Sequence, residues 1–249
     1  MIGLLSALEA EASGLVEAMA AEGEVTSETR LGRTLRFGRL ADSPVVLGVT
    51  GVGKVAAAMT ATIVAELADT VIFVGTAGAL DKAVQPGDLV VATALLQHDL
   101  DARPLFPRWQ QPELGIDRFA PTPLVTQALL EAADEQVAVR PHPGVELGLA
   151  PPRRHAGLIL SGDLFVNSIE LAWRLRNDLP DALAVEMEGA AVAQVCTAAG
   201  RPFGVVRTIS DRANGQASVD FLKFVSTVAA PVDRDVVMGA IRRLASHPV

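Results

Sequence analysis

Short apolar runs alternate along the chain with longer stretches whose hydrophobic residues recur at helical spacing. Ile2 to Ala7 predicts a buried strand. Glu9 to Ala20, with Leu15, Val16 and Met19 on one face, predicts a helix. Thr34–Leu40 and Val45–Val49 read as strands separated by the Asp42-Ser43-Pro44 turn. The Ala-rich stretch Lys54–Leu67 predicts a helix, followed by a strand Val71–Val74, a turn Gly75-Thr76-Ala77-Gly78, and a strand Asp88–Leu96. Residues 99–121 hold several prolines and Trp109 and read as a long irregular excursion, a feature that usually marks function or an interface. A helix resumes at Pro123–Asp134, and Val139–Pro152, with its prolines, reads as a surface loop. Then come a strand near Ala156–Ser161, a helix near Ser168–Asn177, a strand near Ala182–Val185, a helix from Glu188 to Ala199 and a strand Phe203–Ile209. The last helical region starts at Ser218 and is expected to break before Pro231, which lacks an N–H. This alternation predicts a three-layer α/β domain with a largely parallel central sheet. No repeat or linker divides the 249 residues, so one domain is expected over the whole chain.

Composition narrows the partners. Half the residues are hydrophobic, enough to bury a sizeable core without disulfides or metals. The net charge of −8 and the lack of a Lys/Arg cluster argue against nucleic acid or an anionic membrane as partner. Cys196, the single cysteine, sits in an apolar run and reads as an inert buried thiol. A cytoplasmic protein is expected: Glu9 follows the start too soon for a signal peptide, and no apolar stretch is long enough to span a bilayer.

Ligands of open α/β sheets sit beyond the carboxyl ends of the strands. Six such ends carry polar or glycine-rich groups: Glu9/Glu11, residues 48–55, Gly75–Gly78, Ser161–Asn167, Glu186–Glu188 and Ser210-Asp211. The segment "GVTGVGKV" at 48–55 approaches the phosphate loop of triphosphatases, but Val55 stands where a metal-binding hydroxyl is required. The next strand ends in Gly75 rather than an acid. The glycines therefore read as a tight strand-to-helix turn.

In order along the chain, "GLLSALEAE", "TGVGKVAAA", "GTAGAL", "SGDLFVNS", "AVEMEGAAVAQVC" and "VVRTISDRA" closely resemble the 5′-methylthioadenosine/S-adenosylhomocysteine nucleosidases of the purine nucleoside phosphorylase superfamily. The resemblance runs from Gly3 to about Val228 and is weakest in 99–155. It implies a three-layer α/β/α nucleoside phosphorylase-like fold with a mixed, largely parallel sheet, a homodimer, and hydrolysis of the bond between adenine and ribose. Such a reaction needs an acid for the leaving base and a carboxylate to hold and deprotonate water. The resemblance places the acid at Asp211, oriented by Ser210, the base at Glu11, and Arg207 as an aid in positioning the water. Glu188 would accept the ribose hydroxyls, with Met187 under the sugar. Phe165 would stack on adenine, and the Val166 backbone would read the purine edge. Gly78 and Thr76 would approach the ligand closely, while Val52 and Leu8 would line an apolar slot for the 5′ substituent. Glu186 has no assigned role. No cofactor and no metal are implied, although His98-Asp99-x-Asp101 has the residue types of a metal site.

On residue type alone, other readings stand beside these. Arg207 and Asp211 would form an ion pair, Glu11 would be an exposed first-turn residue, and Met187 would be core. Phosphate-using relatives carry an arginine where this chain has Phe73, and another in the strand-one loop, where it has Glu9 and Glu11. Hydrolysis is thus favoured over phosphorolysis. A futalosine-type hydrolase and a non-catalytic binding protein are the remaining alternatives. The segment 97–109, "QHDLDARPLFPRW", is expected to border the 5′ pocket, near the neighbouring subunit's active site, with Arg103 toward a polar 5′ tail.

Overall fold

The computed structural model describes residues 1–213 and 221–246. Its strands are β1 (Ile2–Ser6), β2 (Thr26–Arg30), β3 (Arg33–Leu40), β4 (Ser43–Val49), β5 (Thr70–Ala79), β6 (Leu89–Gln97), β7 (Arg154–Ser161), β8 (Ala182–Glu186) and β9 (Phe203–Asp211). The helices are α1 (Glu9–Glu22), α2 (Lys54–Leu67), α3 (Pro123–Ala138), α4 (Ile169–Asp178), α5 (Gly189–Ala198), α6 (Phe221–Phe224) and α7 (Ala230–Ser246). A single turn of 3-10 helix, Pro143–Leu147, punctuates the predicted 139–152 loop.

The strands form one mixed sheet in the order β2-β3-β4-β1-β5-β8-β7-β6-β9, and β9 also pairs with β5. That extra pairing closes β5, β8, β7, β6 and β9 on themselves, while β2–β4 and β1 extend as an open wing. β1 runs parallel to both β4 and β5. Successive side chains of a strand point to opposite faces, and the core divides accordingly. Leu5 and Phe73 pack with α2 and α5, whereas Leu4, Ile72 and Val74 pack with α1, α3 and α7. A smaller apolar cluster joins β7 and β8 to α4.

Three differences from the sequence reading have physical causes. Strand β2, "TSETR", is almost entirely exposed and shows no apolar alternation; only its antiparallel ladder with β3 makes it a strand. Gly75–Gly78 is not a turn. β5 continues through it because β9 supplies parallel partners (Gly75↔Arg207, Thr76↔Thr208) and β8 pairs with Gly78 and Ala79. β9 likewise runs on to Asp211, placing that residue opposite Gly78 across a bulge. The expected break before Pro231 is present as a π turn, Val225–Ala229, in which the Ala230 N–H reaches back to the Val225 carbonyl. The predicted helix start at Ser218 lies outside the described residues. α1 and α7 touch through Gly14, where a Cβ would come within 2.5 Å of the Ala230 carbonyl oxygen.

Candidate active site

A cavity of about 220 Å³ opens where the carboxyl ends of β1, β5, β8 and β9 meet the loops after β4 and β7. Leu8, Glu11, Val52, Thr76, Gly78, Phe165, Val166, Met187, Glu188, Ser210 and Asp211 all line it. Leu164, Glu186 and Phe221 line it as well. Arg207 does not.

Glu11 stands in the first turn of α1, yet it is buried, with 3% of its surface exposed. The exposed first-turn reading is therefore wrong, and the reason is the chain path. β1 leads straight into α1, so the carboxylate folds back over the strand end. Its Oε2 accepts the Leu8 N–H (3.0 Å), the Ala7 N–H (3.2 Å) and the Ser6 hydroxyl (3.3 Å). Its Oε1 accepts the Thr76 N–H (2.9 Å) and hydroxyl (2.8 Å). Gly75, at φ +154°, lets the carboxylate approach: a Cβ there would lie 3.1 Å from all three carboxyl atoms of Glu11. Glu9 points away and pairs with Arg36 at the surface, so Glu11 alone carries the charge of this loop into the cavity.

Asp211 ends β9. Its Oδ1 accepts the Ala213 N–H at 2.7 Å, and its Oδ2 lies 2.8 Å from the Ser210 hydroxyl. That hydroxyl also lies 3.3 Å from the Ala77 carbonyl oxygen. It has one proton to give. It donates to one of these two oxygens at a time, so Ser210 sits between Asp211 and the β5 main chain.

Glu188 is buried at the start of α5, and its Oε1 accepts the Gly53 N–H at 2.8 Å. Burial first, and then the charge of Glu186, push its carboxyl up to about 7. The glycine turn after β4 thus meets the site through a main-chain N–H.

Arg207 pairs with Glu186, not with Asp211. Nη2 lies 2.6 Å from Glu186 Oε2, the guanidinium stacks 4.0 Å over the Phe73 ring, and the residue is 1% exposed. Burial would lower its pKa, but the charge and hydrogen bond of Glu186 outweigh this and raise it. Arg207 therefore stands behind the cavity wall, at a place reached through Glu186. Glu186, unassigned from sequence, is the hub of that wall. It accepts the Ser161 hydroxyl and the N–H groups of Glu188 (3.2 Å) and Gly189 (2.7 Å), which anchors the start of α5. Its role was not readable because its side-chain partners, Ser161 and Arg207, come from β7 and β9, distant in sequence. Phe221 was missed because its apolar character alone signals core.

Arg103 is bound to Asp101 at the surface and does not line this chain's own cavity. Among the described residues no cluster of His, Cys, Asp and Glu has metal-site geometry, and no helix is long and apolar enough to cross a membrane.

The model of the Phosphorylase superfamily matches residues 1–242. A 5′-methylthioadenosine/S-adenosylhomocysteine nucleosidase of Staphylococcus aureus is 31% identical over 241 residues, 95% of this chain and 97% of that protein. The nucleosidase of Neisseria meningitidis, solved in complex with methylthio-immucillin-A, is 31% identical with a TM-score of 0.83, covering 97% of this chain and 98% of that one. Futalosine hydrolase of Helicobacter pylori is 30% identical, also with a TM-score of 0.83, covering 98% of this chain and 97% of that one. This chain belongs to the phosphorylase superfamily, in the family of 5′-methylthioadenosine/S-adenosylhomocysteine nucleosidases.

Proposed function

We propose that the protein hydrolyses the N-glycosidic bond of 5′-methylthioadenosine and S-adenosylhomocysteine, releasing adenine and the 5-thio-substituted ribose. The observation that carries this reading is that Glu11 and Asp211 open into one cavity together with Glu188 and Phe165. Asp211 protonates N7 of the purine as the bond to C1′ lengthens, so the base leaves neutral. Ser210 takes up the hydrogen bond that orients the acid. Glu11, fixed by its five donors, holds a water and removes its proton as it attacks the cationic anomeric carbon. Glu188 accepts the ribose hydroxyls, and these bonds strengthen as charge develops on the ring, so they lower the barrier as well as bind. Met187 packs beneath the sugar, Phe165 faces the purine, and the Val166 backbone reads its edge. Gly78 and Thr76 admit the ligand closely. Leu8, Val52 and Phe221 form the apolar slot for the sulfur substituent. Arg207 acts from behind Glu186, keeping that wall in place.

Phe73 lies under the Arg207 guanidinium, at the place where phosphate-using relatives carry an arginine; this supports water over phosphate as the nucleophile. The chain is read as one cytoplasmic catalytic domain over residues 1–249 that works as a homodimer. The exposed Val55, Leu105, Phe106, Ile169 and Trp173 support an apolar contact between copies, with 97–109 reaching toward the neighbouring site. The likeness to futalosine hydrolase favours one second reading, in which the 5′ substituent is larger. Adenine or hypoxanthine release from methylthioadenosine, S-adenosylhomocysteine, aminofutalosine and futalosine separates the two. Turnover of the first two is expected to dominate; a preference for either futalosine would replace the main reading.

A further inference from the structure

Two features singled out in the sequence take no part in the chemistry above: the lysine of the glycine loop and Asp99 of the His98-Asp99-x-Asp101 stretch. The structure joins them. Lys54 Nζ lies 2.6 Å from Asp99 Oδ1 and also donates to Gln97 Oε1 at 3.2 Å. Asp99 Oδ2 accepts the Asp163 N–H at 2.9 Å. Asp163 Oδ1 in turn accepts the Lys54 N–H at 2.7 Å. Each residue gives or takes twice, and the circle closes on itself. The three members come from three different strand ends: after β4, after β6 and after β7.

Local chemistry explains why the ring forms. The residue before α2 is Gly53, which has no side chain to cap the helix. Asp163 supplies the missing carboxylate from another loop, where the partial positive charge of the helix start favours it. Gly53 itself holds φ +95°, and a Cβ on it would lie 3.0 Å from Asp163 Oδ1. The glycine is what lets the aspartate come this close.

Two short arms run from the ring to the ligand cavity. The Gly53 N–H, next to Lys54, donates to Glu188 at 2.8 Å. On the other side, Asp163 leads directly into Leu164, Phe165 and Val166, all three lining the cavity. We propose that Lys54, Asp99 and Asp163 are positioning residues that form one closed latch, holding the aromatic wall for the purine in register with the carboxylate for the ribose. This rests on the nucleosidase reading of the cavity. The phosphate-loop lysine thus reaches an aspartate on a neighbouring loop, and its ammonium serves geometry instead of a phosphate.

A latch differs from three independent contacts in one measurable way: opening it once is the whole effect. Lys54→Met and Asp99→Asn are each expected to raise KM for methylthioadenosine by about tenfold, the scale of one lost charge-assisted hydrogen bond. kcat should fall as well, through the Glu188 arm, whose bonds to the ribose strengthen as charge develops on the ring. The Lys54→Met/Asp99→Asn double variant should be no worse than the worse single one, and Lys54→Arg should retain most of the wild-type KM. Amide hydrogen exchange supplies a readout free of catalysis: in Asp99→Asn, the Lys54 and Asp163 amides should lose protection together. Wild-type KM in both single variants, effects that multiply in the double, or exchange that changes in one loop only would overturn the latch. If the wild-type protein does not hydrolyse methylthioadenosine, the functional reading fails, and the exchange experiment still decides the ring.

Discussion

The burial of Glu188 has a thermodynamic consequence that can be measured without substrate. Its carboxyl is pushed from the ordinary 4.5 up to about 7, first by burial and then by Glu186. At about 1.4 kcal/mol per pH unit, that difference makes the ionised form cost the fold about 3 kcal/mol. The sign follows from proton binding. Between 4.5 and about 7 the folded state keeps a proton that the unfolded chain has released, so stability falls as pH rises through this window. Above it the full cost is present, and below it none. Glu188→Gln removes the titration while its side-chain oxygen can still accept the Gly53 N–H. Urea unfolding at fixed protein concentration should show the variant gaining about 2–3 kcal/mol over wild type near pH 8 and close to nothing near pH 4.5. Hydrolysis should be lost in the same variant, a stability cost retained for function. A variant less stable than wild type near pH 8, or a difference that does not change with pH, would refute the reasoning.

Two other substitutions probe the opposite ends of the cavity. Asp211→Asn is expected to keep the fold and lose a factor on the order of 10²–10⁴ in kcat, the contribution of a general acid; near-normal turnover would remove Asp211 from the mechanism. Gly75→Ala places a methyl 3.1 Å from the Glu11 carboxylate at a positive φ, so it should displace the base and cut kcat while adenine binding, followed by calorimetry, survives. An unchanged kcat there would show that Glu11 tolerates a shift the proposed water geometry forbids.

Much of this arrangement was legible in the chain. Periodicity located α2 to the residue and found every strand except β2, whose polar "TSETR" carries no signal for an edge pairing. The strand ends marked Glu11, Glu188 and Asp211 because ligands of such sheets gather there. What the sequence concealed were relations between distant segments. Gly75–Gly78 looks like a turn until β8 and β9 are seen to pair with it. Arg207 and Asp211, four residues apart, suggest an ion pair, yet both lie on β9 and Arg207 turns inward to Glu186. The Lys54–Asp99–Asp163 ring spans loops far apart in the chain, and no local pattern announces it.

Water held by Glu11 is the proposed nucleophile. Purified protein incubated with methylthioadenosine in phosphate-free buffer, and again with added phosphate, tests this directly by product analysis. Free adenine and 5-methylthioribose formed at the same rate in both are predicted; 5-methylthioribose 1-phosphate, formed only when phosphate is supplied, would contradict it.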